Sequence, residues 1–195
     1  MNLPNKITLS RIFLAFIFMF FLFCRGAAAK YAAFFTFVLA CLTDLIDGRI
    51  ARQKHLENDF GRLMDPIADK ILILAAFLAF VELKIIPGWM VIVVIFREFV
   101  ITGLRIIAAT RGKVFAAEMA GKQKIVSQML TIITILIFLI IRESEHDIWN
   151  PVWEIWFKRS AFYLMLVTVV MTLISGISYL VAYGRHLFTV HEKHH

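Results

Sequence analysis

Between Thr43 and Lys70 the chain reads TDLIDGRIARQKHLENDFGRLMDPIADK, and Asp44, Asp47, Asp65 and Asp69 stand in it at helical spacing. At about 100° per residue, Asp44, Asp47, Gly48 and Ala51 fall within an arc of roughly 100° on one helix. Gly61, Asp65 and Asp69 are spaced i, i+4 and i+8, and span roughly 80° of another. The loop expected between these faces is about a dozen residues long, which makes the two helices antiparallel neighbours and lets the four carboxylates converge. Four negative charges that close repel one another unless cations compensate. Oxygen-only ligands favour hard ions, Mg²⁺ or Mn²⁺, over zinc. The small residues Gly48, Ala51 and Gly61 leave room for a ligand against the backbone. The pattern therefore points to metal-assisted phosphoryl-type chemistry, in which two ions clamp a diphosphate and one carboxylate accepts a proton. The structural alternative is a set of helix-end carboxylates pairing with Arg49, Arg52 and Arg62.

The elements that must hold these carboxylates are long and apolar. The chain has 195 residues, 61% of them hydrophobic, and a mean hydropathy of +0.80. Ordinary soluble domains run at about 45–50% apolar residues. Six apolar runs are expected to be membrane-spanning helices, at 7–23, 31–52, 66–83, 88–109, 120–141 and 160–183. Each is near the ~20 residues that cross a ~30 Å hydrocarbon layer, and backbone groups in lipid must bond within their own segment. The fold class is therefore all-α integral membrane, a six-transmembrane-helix bundle forming one catalytic domain over 1–195. Pro66 suits the first turn of the third helix, where its missing N–H costs little. Pro4, the Pro87–Gly88 pair and Pro151 mark segment boundaries. The segment 142–159, with three Trp, reads as an outer loop or an interfacial helix with aromatic anchors.

Charge sets the orientation. With both termini in the cytoplasm, the inner segments carry more than twice as many Lys and Arg as the outer loops, which places the Asp-rich stretch at the cytoplasmic face. The net charge of +7 is then a matter of cytoplasmic loops and lipid headgroups. No basic block with interleaved aromatics is present, so nucleic acid is not an expected partner. Cys24 and Cys41 lack any zinc or disulfide spacing. The first apolar run resembles a secretory leader, but Arg25 stands just before its candidate cleavage site, and it is read as a retained helix. The terminal HEKHH is assigned no function, and a catalytic His is not expected. Asn5, Thr8 and Arg11 recur every three residues and give the first helical turns a polar face, either a donor-binding edge or interfacial caps.

The residues Asp44-x2-Asp47-Gly48-x2-Ala51-Arg52-x8-Gly61-x3-Asp65-x3-Asp69 match at every fixed position the signature of the CDP-alcohol phosphatidyltransferases, a family the chain resembles over nearly its whole length. The resemblance implies a six-helix membrane fold, often homodimeric, that moves a phosphatidyl group from a CDP-linked donor to an alcohol and releases CMP. It implies that Asp44, Asp47 and Asp65 hold divalent metals, with Asp69 sharing in this and deprotonating the acceptor hydroxyl. It also implies that Gly48, Ala51 and Gly61 admit the cytidine nucleotide and that Arg52 orients the phosphates, with Asn5 and Thr8 as further donor contacts. Four other stretches, NLPNKITLSRI, REFVITGLR (97–105), GKQK with Gln128, and SGISYLVAYGR, resemble the branch that uses sn-glycerol 3-phosphate. The implied reaction forms phosphatidylglycerophosphate and CMP from CDP-diacylglycerol, at the inner face of a bacterial cell membrane. Ile125 departs from that branch, where Thr is usual.

An acceptor phosphate carries about two negative charges and needs cationic donors; Arg105, Lys122, Lys124 and Arg185 lie at cytoplasmic ends and can form that pocket. The alternative is ordinary positive-inside anchoring. Arg97 and Glu98 form a charged pair inside an apolar run, which demands partners; Glu98 braces a basic pocket residue, or Arg97 pairs with an Asp or a phosphate. Two other functions compete. One is the same chemistry with phosphatidylglycerol as acceptor, as in cardiolipin synthases. The other is a divalent-cation transporter using the Asp cluster as its ion site.

Overall fold

The computed structural model describes residues 3–54, 59–110, 119–144 and 149–191, with side chains described over 10–43, 70–108, 121–144 and 149–181. Six helices make up the described residues: α1 (Leu3–Phe23), α2 (Ala27–Lys54), α3 (Asp59–Glu82), α4 (Gly88–Thr110), α5 (Met119–Ser144) and α6 (Pro151–His191). The all-α class agrees with the sequence reading. Gly121–Ser144 and Pro151–Val181 are long and apolar enough to cross a membrane, and Ser10–Phe23 and Ala27–Thr43 are shorter apolar helices.

Local chemistry sets the helix ends. After α1 the chain turns at Gly26, whose φ of 97° is the left-handed region that favours glycine. The Lys30 ammonium donates to the carbonyls of Leu22 (2.7 Å) and Cys24 (2.6 Å), which satisfies acceptors the helix end leaves open. The Gly26 amide donates to Glu143 Oε2 at 3.1 Å, tying this turn to the last turn of α5. Helix α3 closes in a Schellman motif: the Ile85 amide reaches the Phe80 carbonyl, the Lys84 amide reaches that of Val81, and Lys84 takes φ 56°. Pro87 and Gly88 then open α4, as the boundary reading expects.

Several boundaries differ from the sequence expectation. Helix α3 starts at Asp59, so Pro66 lies in its interior rather than its first turn, and α2 continues to Lys54. The helical residues thus reach well into the stretch of about a dozen residues expected to be loop. Polar, charged sequence is no bar to helix where the segments leave the apolar layer, so both helices extend beyond their apolar cores. The sixth helix starts at Pro151 rather than 160. Asn150 is its N-cap, accepting the Val152 amide on Oδ1 at 3.1 Å, and Pro151 takes the first helical position. The 142–159 segment is thus divided between the last turn of α5 and the first turns of α6. At 1.5 Å per residue α6 is about 60 Å long, twice the depth of a hydrocarbon layer.

Helix α1 packs on α2 and α3, α5 on α6 and α2, and α4 on α6 and α3. Phe18, Phe37, Phe77, Phe80, Met90 and Leu136 fill the apolar core. The outer surface is apolar as well. Phe13, Phe16 and Phe20 on α1, and Ile92, Phe96 and Phe99 on α4, are 63–70% exposed. Inside lie Glu98, Lys124, Gln128, Thr131, Thr168, Thr172 and Ser175, all buried. Apolar groups outward and polar groups inward is the arrangement lipid selects.

Candidate active site

Glu98 lies at the centre of the polar interior. It is 4% exposed, within an apolar stretch of α4, where an unpaired carboxylate would be strongly disfavoured. Three cations from three helices meet it. Lys70 of α3 lies 3.2 Å from Oε2, Arg97 of α4 lies 3.3 Å from Oε1, and Lys124 of α5 donates to the same Oε1. Lys70 is further held by the Glu98 carbonyl at 3.2 Å and by Thr102 Oγ1. Thr102 itself donates to the Glu98 carbonyl one turn back, at 2.7 Å.

Arg97 carries the network to the fourth helix, donating through Nη2 to Ser175 Oγ on α6 at 2.7 Å. The next residue of α6 is Gly176, and a Cβ there would lie 3.2 Å from Arg97 Cγ. The missing side chain is what lets the arginine stem lie against α6. One turn further, the Arg105 guanidinium stands over the Tyr179 ring, 5.8 Å from its centroid. Between α5 and α6 the polar seam continues through Thr131 and Thr168, whose hydroxyls are 2.9 Å apart.

The Arg97–Glu98 pair has the partners its place in an apolar run demands, and the Asp side chains weighed as partners of Arg97 lie outside the described residues. Glu98 braces Lys124, and Arg97 engages Glu98 and Ser175. Of the candidate phosphate ligands, Lys124 is buried on Glu98, whereas Arg105 and Lys122 are exposed. Ile125 is 49% exposed, so the residue that replaces the usual Thr is on the outer side of α5. Arg11, on the polar face of α1, is buried. Asp44, Asp47, Gly48, Ala51 and Arg52 are carried by α2, and Gly61, Asp65 and Asp69 by α3. Asn5 and Thr8 are on α1 and Arg185 is on α6. The side chains of these eleven residues lie outside the described residues. Their donor chemistry fits hard cations: the Asp set offers only carboxylate oxygens, on two helices that contact one another. Sequence reasoning missed Lys70, which it counted only as a positive-inside charge, and the pairing roles of Ser175 and Tyr179. Lys70 follows Asp69 directly, which was the available signal.

The model of the CDP-alcohol phosphatidyltransferase family matches residues 1–190. The chain belongs to the CDP-alcohol phosphatidyltransferase family. Among its relatives is the CDP-diacylglycerol--glycerol-3-phosphate 3-phosphatidyltransferase of Bacillus subtilis (strain 168), 43% identical over 148 residues, covering 70% of this chain and 77% of that protein. The protein of the same name from Escherichia coli (strain K12) is 31% identical over 187 residues, covering 93% of this chain and 94% of its own length. Membership in this phosphatidyltransferase family, together with the two long apolar helices, makes the chain a membrane protein. Glu98, Lys70, Arg97, Lys124 and Ser175 all lie within the matched residues.

Proposed function

We propose that this phosphatidyltransferase moves the phosphatidyl group of CDP-diacylglycerol to sn-glycerol 3-phosphate, producing phosphatidylglycerophosphate and CMP. The observation that carries this reading is the complete Asp signature on α2 and α3, in a chain whose relatives bear that activity in their names. Asp44, Asp47, Asp65 and Asp69 hold two divalent ions, Mg²⁺ or Mn²⁺. When bound, such ions neutralise the diphosphate and the charge developing on the leaving CMP.

The chain's own residues do the rest. Asp69 accepts the proton of the acceptor hydroxyl. That oxygen bonds to the phosphorus bearing the diacylglycerol, the bridging P–O bond breaks, and CMP departs with the electron pair. Gly48, Ala51 and Gly61 keep the backbone open to the cytidine nucleotide, while Arg52, Asn5 and Thr8 contact the donor. Arg105, Lys122, Lys124 and Arg185 bind the phosphate of the acceptor. Six spans, cytoplasmic termini and a site at the inner face of the cell membrane let a soluble phosphate meet a lipid-anchored nucleotide. The working unit is a homodimer embedded among membrane lipids.

A cation transporter fits less well. Glu98, buried inside the described bundle, is enclosed by Lys70, Arg97 and Lys124, and such a cluster repels a passing metal ion. The test uses purified protein, CDP-diacylglycerol, Mg²⁺ or Mn²⁺, and a panel of alcohols including phosphatidylglycerol. CMP release with glycerol 3-phosphate is expected. Release with another alcohol but none with glycerol 3-phosphate would sink the acceptor assignment.

A further inference from the structure

Among the described residues the Glu98 cluster is unbalanced. One buried carboxylate faces Lys70, Arg97 and Lys124, an excess of two positive charges when all four groups are ionised. The three cationic side chains range from 7% exposed at Lys124 to 29% at Lys70, so the cluster is closed on the α5 side and open on the α3 side. Enclosed cations that outnumber the carboxylate they share are costly, and an anion with about two negative charges relieves that cost. Among the described residues, Glu98 is the group that touches cations of α3, α4 and α5. Through Arg97 and Ser175 it is also fastened to α6.

We infer that Glu98 is a positioning residue for the acceptor: it holds the ammonium groups of Lys124 and Lys70 in the arrangement that receives a phosphate dianion, and through Lys70 it steadies the α3 turn bearing Asp69. The inference rests on the acceptor reading above and adds residues that reading lacks. Two effects of removing the carboxylate oppose each other. The cluster's charge rises by one, which attracts phosphate more strongly. Its cations also lose their common anchor and repel one another apart, which destroys the geometry. Misplacement by about 1 Å can cost a hundredfold in such sites, so the loss of geometry outweighs the gain in charge.

The experiment compares wild type with Glu98→Gln and Glu98→Asp in lipid nanodiscs, measuring kcat and the KM for each substrate separately. Glu98→Gln is expected to raise the KM for glycerol 3-phosphate at least tenfold and to leave the KM for CDP-diacylglycerol within about twofold. Glu98→Asp, which keeps the charge on a shorter stem, is expected to fall between. A KM for glycerol 3-phosphate that is unchanged or lower, or equal rises in both KM values, overturns the inference. Should Glu98→Gln fail to fold, Ser175→Ala removes only the fastening of Arg97 and is expected to shift the same KM by a few-fold; no shift there overturns it as well. Binding of inorganic phosphate, followed calorimetrically in the same nanodiscs, separates the two readings. A wild type that binds phosphate but releases no CMP with glycerol 3-phosphate refutes the acceptor, and the loss or retention of phosphate binding in Glu98→Gln then decides the role of Glu98.

Discussion

Replacing Lys124 and Lys122 one at a time with Met tests whether burial, rather than proximity in sequence, separates these two lysines. Methionine keeps most of the apolar stem and removes the ammonium, so the perturbation is chiefly electrostatic. The Lys124 side chain is 7% exposed and donates to Glu98. Breaking a buried pair generally costs about 3–5 kcal/mol because it strands the partner charge. Here Glu98 keeps Lys70 at 3.2 Å and Arg97 at 3.3 Å, so the cost falls to about 2–3 kcal/mol. For a chain of this size each kcal/mol moves the melting temperature by about 2–4 °C, which gives a fall of roughly 5–10 °C for Lys124→Met. Lys122 is exposed, and a solvated charge contributes little to stability, so Lys122→Met should melt within about 1 °C of wild type. Thermal unfolding in nanodiscs, read from tryptophan fluorescence, measures both. A double-mutant cycle with Glu98→Gln should show strong coupling for Lys124 and none for Lys122. Equal melting shifts for the two variants, or additive effects of Lys124→Met and Glu98→Gln, would refute the reasoning.

Other outcomes follow from the same geometry. Asp44→Ala, Asp47→Ala, Asp65→Ala and Asp69→Ala should each lower kcat by orders of magnitude, because a lost carboxylate leaves metal charge uncompensated; this is read by CMP release. A chelator should abolish activity, and titrating Mg²⁺ or Mn²⁺ back should restore it, with the half-restoring concentration identifying the preferred ion. Arg105→Ala should raise the KM for glycerol 3-phosphate while leaving that for CDP-diacylglycerol in place; the reverse pattern would remove Arg105 from the acceptor pocket. Gly176→Val adds bulk beyond a Cβ already only 3.2 Å from Arg97 Cγ, so it should displace Arg97 from Ser175 and lower the melting temperature. The expected cost is about 1–3 kcal/mol.

Much of this protein is written locally. Helices had to form where the chain is apolar for twenty residues, because a backbone in lipid has no other donors and acceptors. The Pro87–Gly88 start of α4 and the Pro151 near the start of α6 are signals read within a single turn. The spacing of Asp44, Asp47, Gly61, Asp65 and Asp69 assigns them to helix faces without any knowledge of neighbours, and it carries the family. A resemblance at the level of REFVITGLR pointed to the acceptor, and the Arg97–Glu98 pair announced that partners must exist.

Which partners they are was settled only by the tertiary structure. Lys70, Lys124 and Ser175 reach the Arg97–Glu98 pair from 28, 26 and 78 residues away. Helical periodicity says which residues share a face, but not which face of another helix it will meet; that depends on how all the side chains pack at once. The same limit misplaced several helix boundaries, since hydropathy marks the edge of the apolar layer and not the last hydrogen-bonded turn. Sequence by itself determined the helical class, the family and the residues able to do the chemistry. Packing decided that a single buried carboxylate gathers cations from three helices, because only the folded bundle brings those charges within a few ångströms of one another.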